Sequence, residues 1–167
     1  MVPMNKSVAV LAVVTLVSAG CGTACSRGAR RDAAADLAAI DALRQEHVAA
    51  VNAGDLEAML ATMTDDVVYL PPGQPAVLGT EALRSAVQPY YEQFEIHLSM
   101  NAEETVVAGD WAFEWGWASS SMRPLPDGDT VHVEAKYLYV YERQPDGSWK
   151  IARDIFNENT PPGVPAS

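Results

Sequence analysis

The sequence predicts an α+β domain, a cone-shaped barrel in which a curved antiparallel sheet wraps around three N-terminal helices. Helical periodicity, broken by one short strand, fills the segment from Asp36 to Phe94. From Glu95 onward, long apolar runs alternate with turn signals, as in a β-meander. Of the 167 residues, 49% are hydrophobic and 20% are charged, which fits one globular domain, placed here at residues 34–159.

The first helix is predicted to begin near Asp36, its cap, and to end at Asn52, with Gly54 just beyond it. Its apolar stripe also carries two polar side chains. The stripe comprises, at spacings of three and four, Leu37, Ile40, Arg44, His47, Val48 and Val51. A histidine in such a stripe is either a satisfied core residue or a group that faces a ligand.

Two more helices and a short strand are predicted before the meander. Asp55 caps a helix over residues 55–63. A strand follows from Val67 to Leu70 and stops at two prolines. The third helix starts with Thr80 as its cap, and Pro89 kinks or ends it.

Four strands form the predicted meander, since the turn sequences "AGD", "PLPDGD" and "QPDG" separate four long runs. The runs cover residues 95–107, 111–122, 130–142 and 149–158.

Charged side chains interrupt the apolar pattern of these strands. If the faces with small residues point inward, then Glu114, Lys136 and Asp154 converge in a cavity and an aromatic outer face remains. That outer face would need a partner, so we expect a homodimer formed through the convex side of the sheet. If the other face of each strand points inward instead, the aromatic side chains would line a pocket for an apolar ligand. Glu114 and Lys136 could also form an exposed cross-strand ion pair with no further role.

The first 20 residues predict a signal peptide. Lys6 precedes an apolar run of ten residues, Val8 to Val17, which is too short to span a membrane. The following "SAGC" resembles a bacterial lipobox and predicts lipidation of Cys21, with ordinary cleavage and free secretion as the alternative. Residues 21–33 predict a tether and 160–167 a disordered tail. We therefore expect an exported protein, held to a membrane only by a lipid anchor.

Charge and motifs exclude several classes of partner. The net charge of −11 argues against nucleic acid, because phosphate binding needs a basic face. The three histidines lack the close spacing of metal ligands, so no metal is expected. The sequence shows neither a Gly-rich phosphate loop nor a nucleophile elbow, and no cofactor is expected.

Two segments resemble the nuclear-transport-factor-2-like superfamily, which includes ketosteroid isomerase and limonene epoxide hydrolase. The run "NAGDLEAM…DDVV", which begins at Asn52, and the closing "DGSWKIARDIFN" are similar to its SnoaL-like branch, and especially to a subgroup classed as a domain of unknown function. The resemblance covers residues 36–159. It implies a ketosteroid isomerase-like fold with a cavity, but this fold supports unrelated functions.

The resemblance also assigns individual residues. Ketosteroid isomerase has a catalytic tyrosine at the position of His47, and its general base is an Asp at the position of Pro71, so the base is absent here. The "RDIF" segment is similar to "RDYF" of the epoxide hydrolase, which implies that Asp154 faces the cavity together with Phe156. The hydrolase's Arg and second Asp are also missing, and Glu114 is the only acid on the corresponding strand.

These observations favour a domain that binds a small, mostly apolar organic molecule without turnover. The first alternative is a cofactor-free isomerase, cyclase or hydrolase with Asp154 as general acid or base. The second is a dimeric association module. Whether the protein is an enzyme stays open at this point. The expected ligand-binding residues are His47, Tyr69, Glu114, Lys136 and Phe156.

Overall fold

The structure, a computed structural model, describes residues 32–159. The predicted signal peptide (1–20), nearly all of the tether (21–33), the lipidation site Cys21 and the tail (160–167) lie outside the described residues and stay predictions. No helix in the described part of the chain combines the length and hydropathy that a membrane span requires.

Residues 32–159 form three helices and six strands. The helices are α1 (Ala33–Asn52), α2 (Leu56–Ala61) and α3 (Thr80–Gln93). The strands are β1 (Met63–Leu70), β2 (Val77–Leu78), β3 (Phe94–Ala108), β4 (Trp111–Pro124), β5 (Val131–Arg143) and β6 (Trp149–Glu158).

One curved sheet, with the order β2-β1-β6-β5-β4-β3, contains all six of these strands. The α+β class is therefore confirmed, and the four-stranded meander agrees with the prediction to within two residues at each end. The sheet remains open, because its edge strands β2 and β3 do not pair with each other. Strand β1 runs parallel to β6 and extends four residues further toward the N-terminus than predicted.

Helix α1 begins earlier than predicted because Asp32 is its cap. The Asp32 carboxylate accepts a hydrogen bond from the backbone N–H of Ala34 at 3.0 Å. Asp36, the predicted cap, lies within the helix, where its own N–H already bonds the Asp32 carbonyl at 3.0 Å. Its buried side chain instead accepts a hydrogen bond from Arg143 of β5 at 2.6 Å. The acid therefore ties the helix to the sheet.

The second cap prediction is confirmed and the third is wrong. Asp55 caps α2 by accepting from the N–H of Ala58 at 2.9 Å. Thr80 does not cap α3, because its hydroxyl donates to the carbonyl of Thr64 in β1 at 3.2 Å. The cap residue is Gly79, whose φ of 83° is in the left-handed region that favours glycine. Helix α3 also continues through Pro89 to Gln93.

The core lies between the helices and the inner face of the sheet. Helix α1 contributes Ile40, fully buried, whereas Leu37 of the predicted stripe is 40% exposed. The largest apolar side chains that fill this layer are Ile40, Met59, Leu60, Met63, Leu83, Tyr141, Trp149 and Ile151.

A buried carboxylate joins α1 to the sheet. Glu114, on the inner face of β4, has no exposed surface. Arg44 of α1 donates to it at 2.7 Å and Thr105 of β3 at 2.8 Å. Tyr137 and Tyr141 of β5 each donate to it at 3.0 Å. Because an unpaired buried charge costs several kcal/mol, this network fixes the helix against three strands.

The end of α1 is attached to the free edge of the sheet. The amide of Asn52 donates to the carbonyl of Leu98 in β3 at 3.0 Å and accepts from the Leu98 N–H at 2.6 Å. One side chain therefore occupies both hydrogen-bonding groups of an edge residue.

The outer face of the sheet carries a row of partly exposed aromatic side chains, which we call the aromatic row. Its members are 38–45% exposed and alternate with the buried residues of β4. They are Trp111, Phe113, Trp115 and Trp117.

Candidate functional site

A cavity of about 440 Å³ lies between the inner face of the sheet and the helices. Four of the predicted site residues line it, namely His47, Tyr69, Asp154 and Phe156. Most of the remaining lining is apolar and includes Val51, Met59, Met63, Val77, Leu83 and Val87. The cavity can therefore bury an apolar body and offers few polar groups to orient it.

Asp154 is the central acid of this cavity. Strand alternation in β6 turns its side chain inward, between its neighbours Tyr69 of β1 and Tyr139 of β5. It is only 7% exposed. None of residues 32–159 donates a hydrogen bond to its carboxylate. Burial without a partner raises the pKa of the Asp154 carboxyl from 3.8 to about 7.

His47 is neutral and its tautomer is set by a neighbour. The Thr62 hydroxyl donates to the carbonyl of Met59 at 2.6 Å, so its oxygen accepts from Nδ1–H of His47 at 2.8 Å. Nε2, which bonds no described residue, then carries the lone pair. Burial lowers the pKa of the imidazole from 6.5 to about 4. Near pH 7 the ring is therefore a neutral acceptor.

Aromatic rings surround these two groups. His47 contacts Tyr139 edge to face, with 5.9 Å between ring centroids. Tyr69 and Phe156 also lie 5.9 Å apart and form one wall. Burial, and then the charge of Asp154, raise the pKa of the Tyr69 phenol above its usual range, so the phenol keeps its proton.

Glu114 and Lys136 do not join Asp154 in the cavity. Glu114 does face inward, but its carboxylate already bonds to Arg44 and Thr105. Glu114 does not line the cavity. Lys136 is exposed on the outer face, where it lies opposite Trp117 and 3.5 Å from the side-chain oxygen of Asn159. The predicted convergence of the three charges is wrong, and so is the Glu114–Lys136 cross-strand pair.

Strand register explains the error. Glu114 pairs with Tyr139 and Gly116 with Tyr137, so even-numbered residues of β4 share a face with odd-numbered residues of β5. A register different by one residue would put Lys136 inside. The small-residue face of β4 does point inward as predicted, but β5 turns its tyrosines inward instead.

Sequence reasoning missed two residues that shape the site. Thr62 sets the tautomer of His47, and nothing in its local pattern indicates this role. Arg44 lies on the predicted apolar stripe of α1, and a cation on such a stripe indicates a buried acid that pairs with it. In the described part of the chain, no group of three or more His, Cys, Asp or Glu side chains is arranged to hold a metal ion.

The arrangement can bind a small molecule and move a proton. A carboxyl with a pKa of about 7 is present in both protonation states near neutral pH. It can donate a hydrogen bond when protonated and accept one when ionised, while Nε2 of His47 accepts in either case.

Solved structures of similar fold support this architecture. A ketosteroid isomerase-like protein from Erwinia carotovora atroseptica is 28% identical, with a TM-score of 0.69, over 75% of this chain and 98% of that one. A conserved protein from Planctomyces limnophilus is 25% identical, with the same TM-score and coverage. An NTF2-like superfamily protein from Salmonella enterica has a TM-score of 0.68 at 14% identity, over 80% of this chain and 97% of that one. No curated protein matches the chain.

The open, curved sheet with helices over its inner face is the fold that this chain shares with these solved structures. The sequence profile of the SnoaL-like domain matches residues 45–153, more than half of the chain. The protein therefore belongs to the SnoaL-like domain family.

Asp154→Asn should stabilise the fold at high pH. The folded-state pKa of about 7 exceeds the ordinary 3.8, so the folded state binds more protons between these values. The free energy of unfolding therefore falls as pH rises from about 4 to about 7, a loss that neutral Asn avoids. Urea unfolding at pH 8 should show the variant more stable, by up to roughly 4 kcal/mol, with little difference at pH 4.

His47 contributes in the opposite direction, since its lowered pKa favours folding as pH rises from about 4 to 6.5. Because His47 is present in both the natural protein and the Asp154→Asn variant, its contribution cancels in the comparison. Glu103→Gln, an exposed acid outside the cavity, is the matched control and should show no such pH-dependent difference. An Asp154→Asn effect of equal size at pH 4 and pH 8 would contradict the prediction.

Proposed function

We propose that the domain binds a small, mostly apolar organic molecule in the cavity. One observation carries the proposal: an apolar cavity of about 440 Å³ contains a buried carboxyl that no described residue satisfies. Leaving such a group unpaired costs about 1–3 kcal/mol or more, so its presence favours a role with a ligand. The volume lies within the range of about 300–1,000 Å³ that is typical of ligand pockets.

The two polar groups of the cavity would orient the ligand. Asp154 is the cross-strand neighbour of Tyr139 and the His47 ring contacts that tyrosine edge to face, so a polar substituent of the ligand near Tyr139 would lie close to both residues. Phe156 and Tyr69 would contact its apolar body. Membership of the SnoaL-like family and the similarity to a ketosteroid isomerase-like protein support a small-molecule site.

Ala86→Trp should abolish binding. Ala86 of α3 lines the cavity, and an indole there would occupy space that the ligand needs. A neutral, solvatochromic hydrophobic dye should bind to the natural protein with increased fluorescence and fail to bind to the variant. Native mass spectrometry would also reveal a co-purified ligand, and we expect its loss in the variant.

The matched control is Ala82→Trp, one turn earlier on α3, where the side chain is exposed and does not line the cavity. This variant should bind the dye normally. Equal binding by both tryptophan variants, with both folded by circular dichroism, would show that the dye binds elsewhere and would count against the proposal.

A second candidate function is proton-transfer catalysis without a cofactor, with Asp154 as general acid or base. The observation that favours it is the pKa of about 7, since a catalytic acid or base works best when its pKa lies near the working pH. His47 would orient the substrate as a neutral acceptor. Lys136 has no part in this proposal, because it lies on the other face of the sheet.

Asp154→Asn separates the two functions. If the protein is an enzyme, the variant should lose turnover by about 100-fold or more on an active member of a substrate panel, with the ligand bound within about tenfold of the natural affinity. Glu103→Gln should retain full turnover. An unchanged rate in Asp154→Asn would exclude Asp154 as the acid or base and leave the binding function.

We also propose that the aromatic row is covered by a second copy of the chain. Four aromatic side chains on one strand, each 38–45% exposed, form an apolar row of the kind that often marks an interaction surface. A symmetric dimer through the outer face of the sheet would bury them on both copies.

Sedimentation velocity should therefore show a dimer at micromolar concentration. Phe113→Glu, in the middle of the aromatic row, should give a monomer, because the new charge would be buried without a partner. Leu78→Glu, which adds the same charge at an exposed apolar residue on β2, should remain dimeric. If the unsubstituted protein sediments as a monomer throughout the micromolar range, the proposed dimer is refuted.

A further inference from the structure

The charges around the cavity are all of one sign. Two acids line it, Asp154 in its interior and Glu158 at the exposed end of β6. Among the described residues, no lysine or arginine lines the cavity. His47 does not supply the missing charge, because burial keeps it neutral near pH 7. The cavity therefore presents negative charge without a protein counter-charge.

The two buried polar side chains that line the cavity, those of Asp154 and His47, both offer hydrogen-bond acceptors. When ionised, the Asp154 carboxylate accepts only, and no described residue donates to it. Nε2 of His47 accepts because Thr62 holds the proton on Nδ1. Both groups lie against Tyr139, one as its cross-strand partner and the other in ring contact at 5.9 Å. A ligand group with several N–H donors can bond to the Asp154 carboxylate and keep a donor for a second acceptor such as Nε2 of His47.

Aromatic rings supply the remaining surroundings. Tyr69 and Phe156 form one wall, and Tyr90 and Tyr91 of α3 line the cavity as well. The faces of such rings attract cations, whereas they have no comparable attraction for an anion.

We propose that the cavity selects an organic cation, a small apolar primary amine whose ammonium group binds to the Asp154 carboxylate and to Nε2 of His47. This inference rests on the proposed binding function and names the chemical class of the ligand. The ammonium provides the missing counter-charge and three donors, and the apolar body of the amine fills the rest of the cavity.

Other ligand classes match the site less well. A carboxylate ligand would face Asp154 and Glu158 with no cation nearby, which is unfavourable in an enclosed site. A neutral alcohol could donate one hydrogen bond to Asp154, but it would leave the charge of the acid uncompensated.

The experiment compares three probes of similar shape at pH 8, namely 2-phenylethylamine, 2-phenylethanol and phenylacetate. Dissociation constants come from chemical-shift titrations of the protein. The amine should bind about tenfold or more tightly than the alcohol, since a charged hydrogen bond replaces a neutral one. Phenylacetate should bind weakest. In Asp154→Asn the preference for the amine should disappear, whereas the matched control Glu103→Gln should retain it.

The outcomes separate this inference from the function on which it rests. If the alcohol binds as tightly as the amine, or if Asp154→Asn keeps the preference, the cation inference is overturned and the binding function stands. The cation inference is also overturned if none of the three probes binds while the neutral dye still enters the cavity. If neither the probes nor the dye bind, both proposals fail.

Discussion

The ion pair between Arg44 and Glu114 sets the position of the first helix against the sheet. Both charges are largely withdrawn from water, so each requires the other, and Thr105, Tyr137 and Tyr141 satisfy the rest of the carboxylate. The same helix carries His47 one turn after Arg44. The depth at which the imidazole enters the cavity is therefore determined by a salt bridge outside it, and loss of either partner would disturb the site without touching it.

The two inward-facing acids of the sheet have opposite roles for this reason. Glu114 has four donors and serves the architecture, whereas Asp154 has none among the described residues and is available to a ligand. Asp154 pairs with Tyr69 of β1 on one side and with Tyr139 of β5 on the other, so the sheet holds its backbone without help from its side chain. Its burial without a partner reduces stability above neutral pH and raises the pKa of the same carboxyl.

Much of the fold could be predicted because its signals are local. The meander was predicted from apolar alternation and from turn signals such as the Asp-Gly before β6, and α2 was predicted from the Asp55 cap. Each of these signals acts within a few residues. The inward position of Asp154 followed from the resemblance of its "RDIF" segment to the epoxide hydrolase, and alternation then placed Phe156 on the same face. The position of Lys136 could not be predicted, because it depends on the pairing register across the β4–β5 loop, and a difference of one residue reverses every side chain. Strand β2 and the role of Thr62 depend on tertiary contacts alone.

The contact between Asn52 and Leu98 has a consequence for how copies of the chain can meet. An edge strand of 15 residues is a template onto which a foreign strand could add, the usual route to fibrils. The Asn52 amide imitates one peptide unit of such a strand and occupies the N–H and carbonyl of Leu98 near the middle of the first half of β3. It thereby interrupts the ladder that an incoming strand would need. The edge is blocked at this residue, which leaves the aromatic row on the outer face as the surface that the proposed dimer would use.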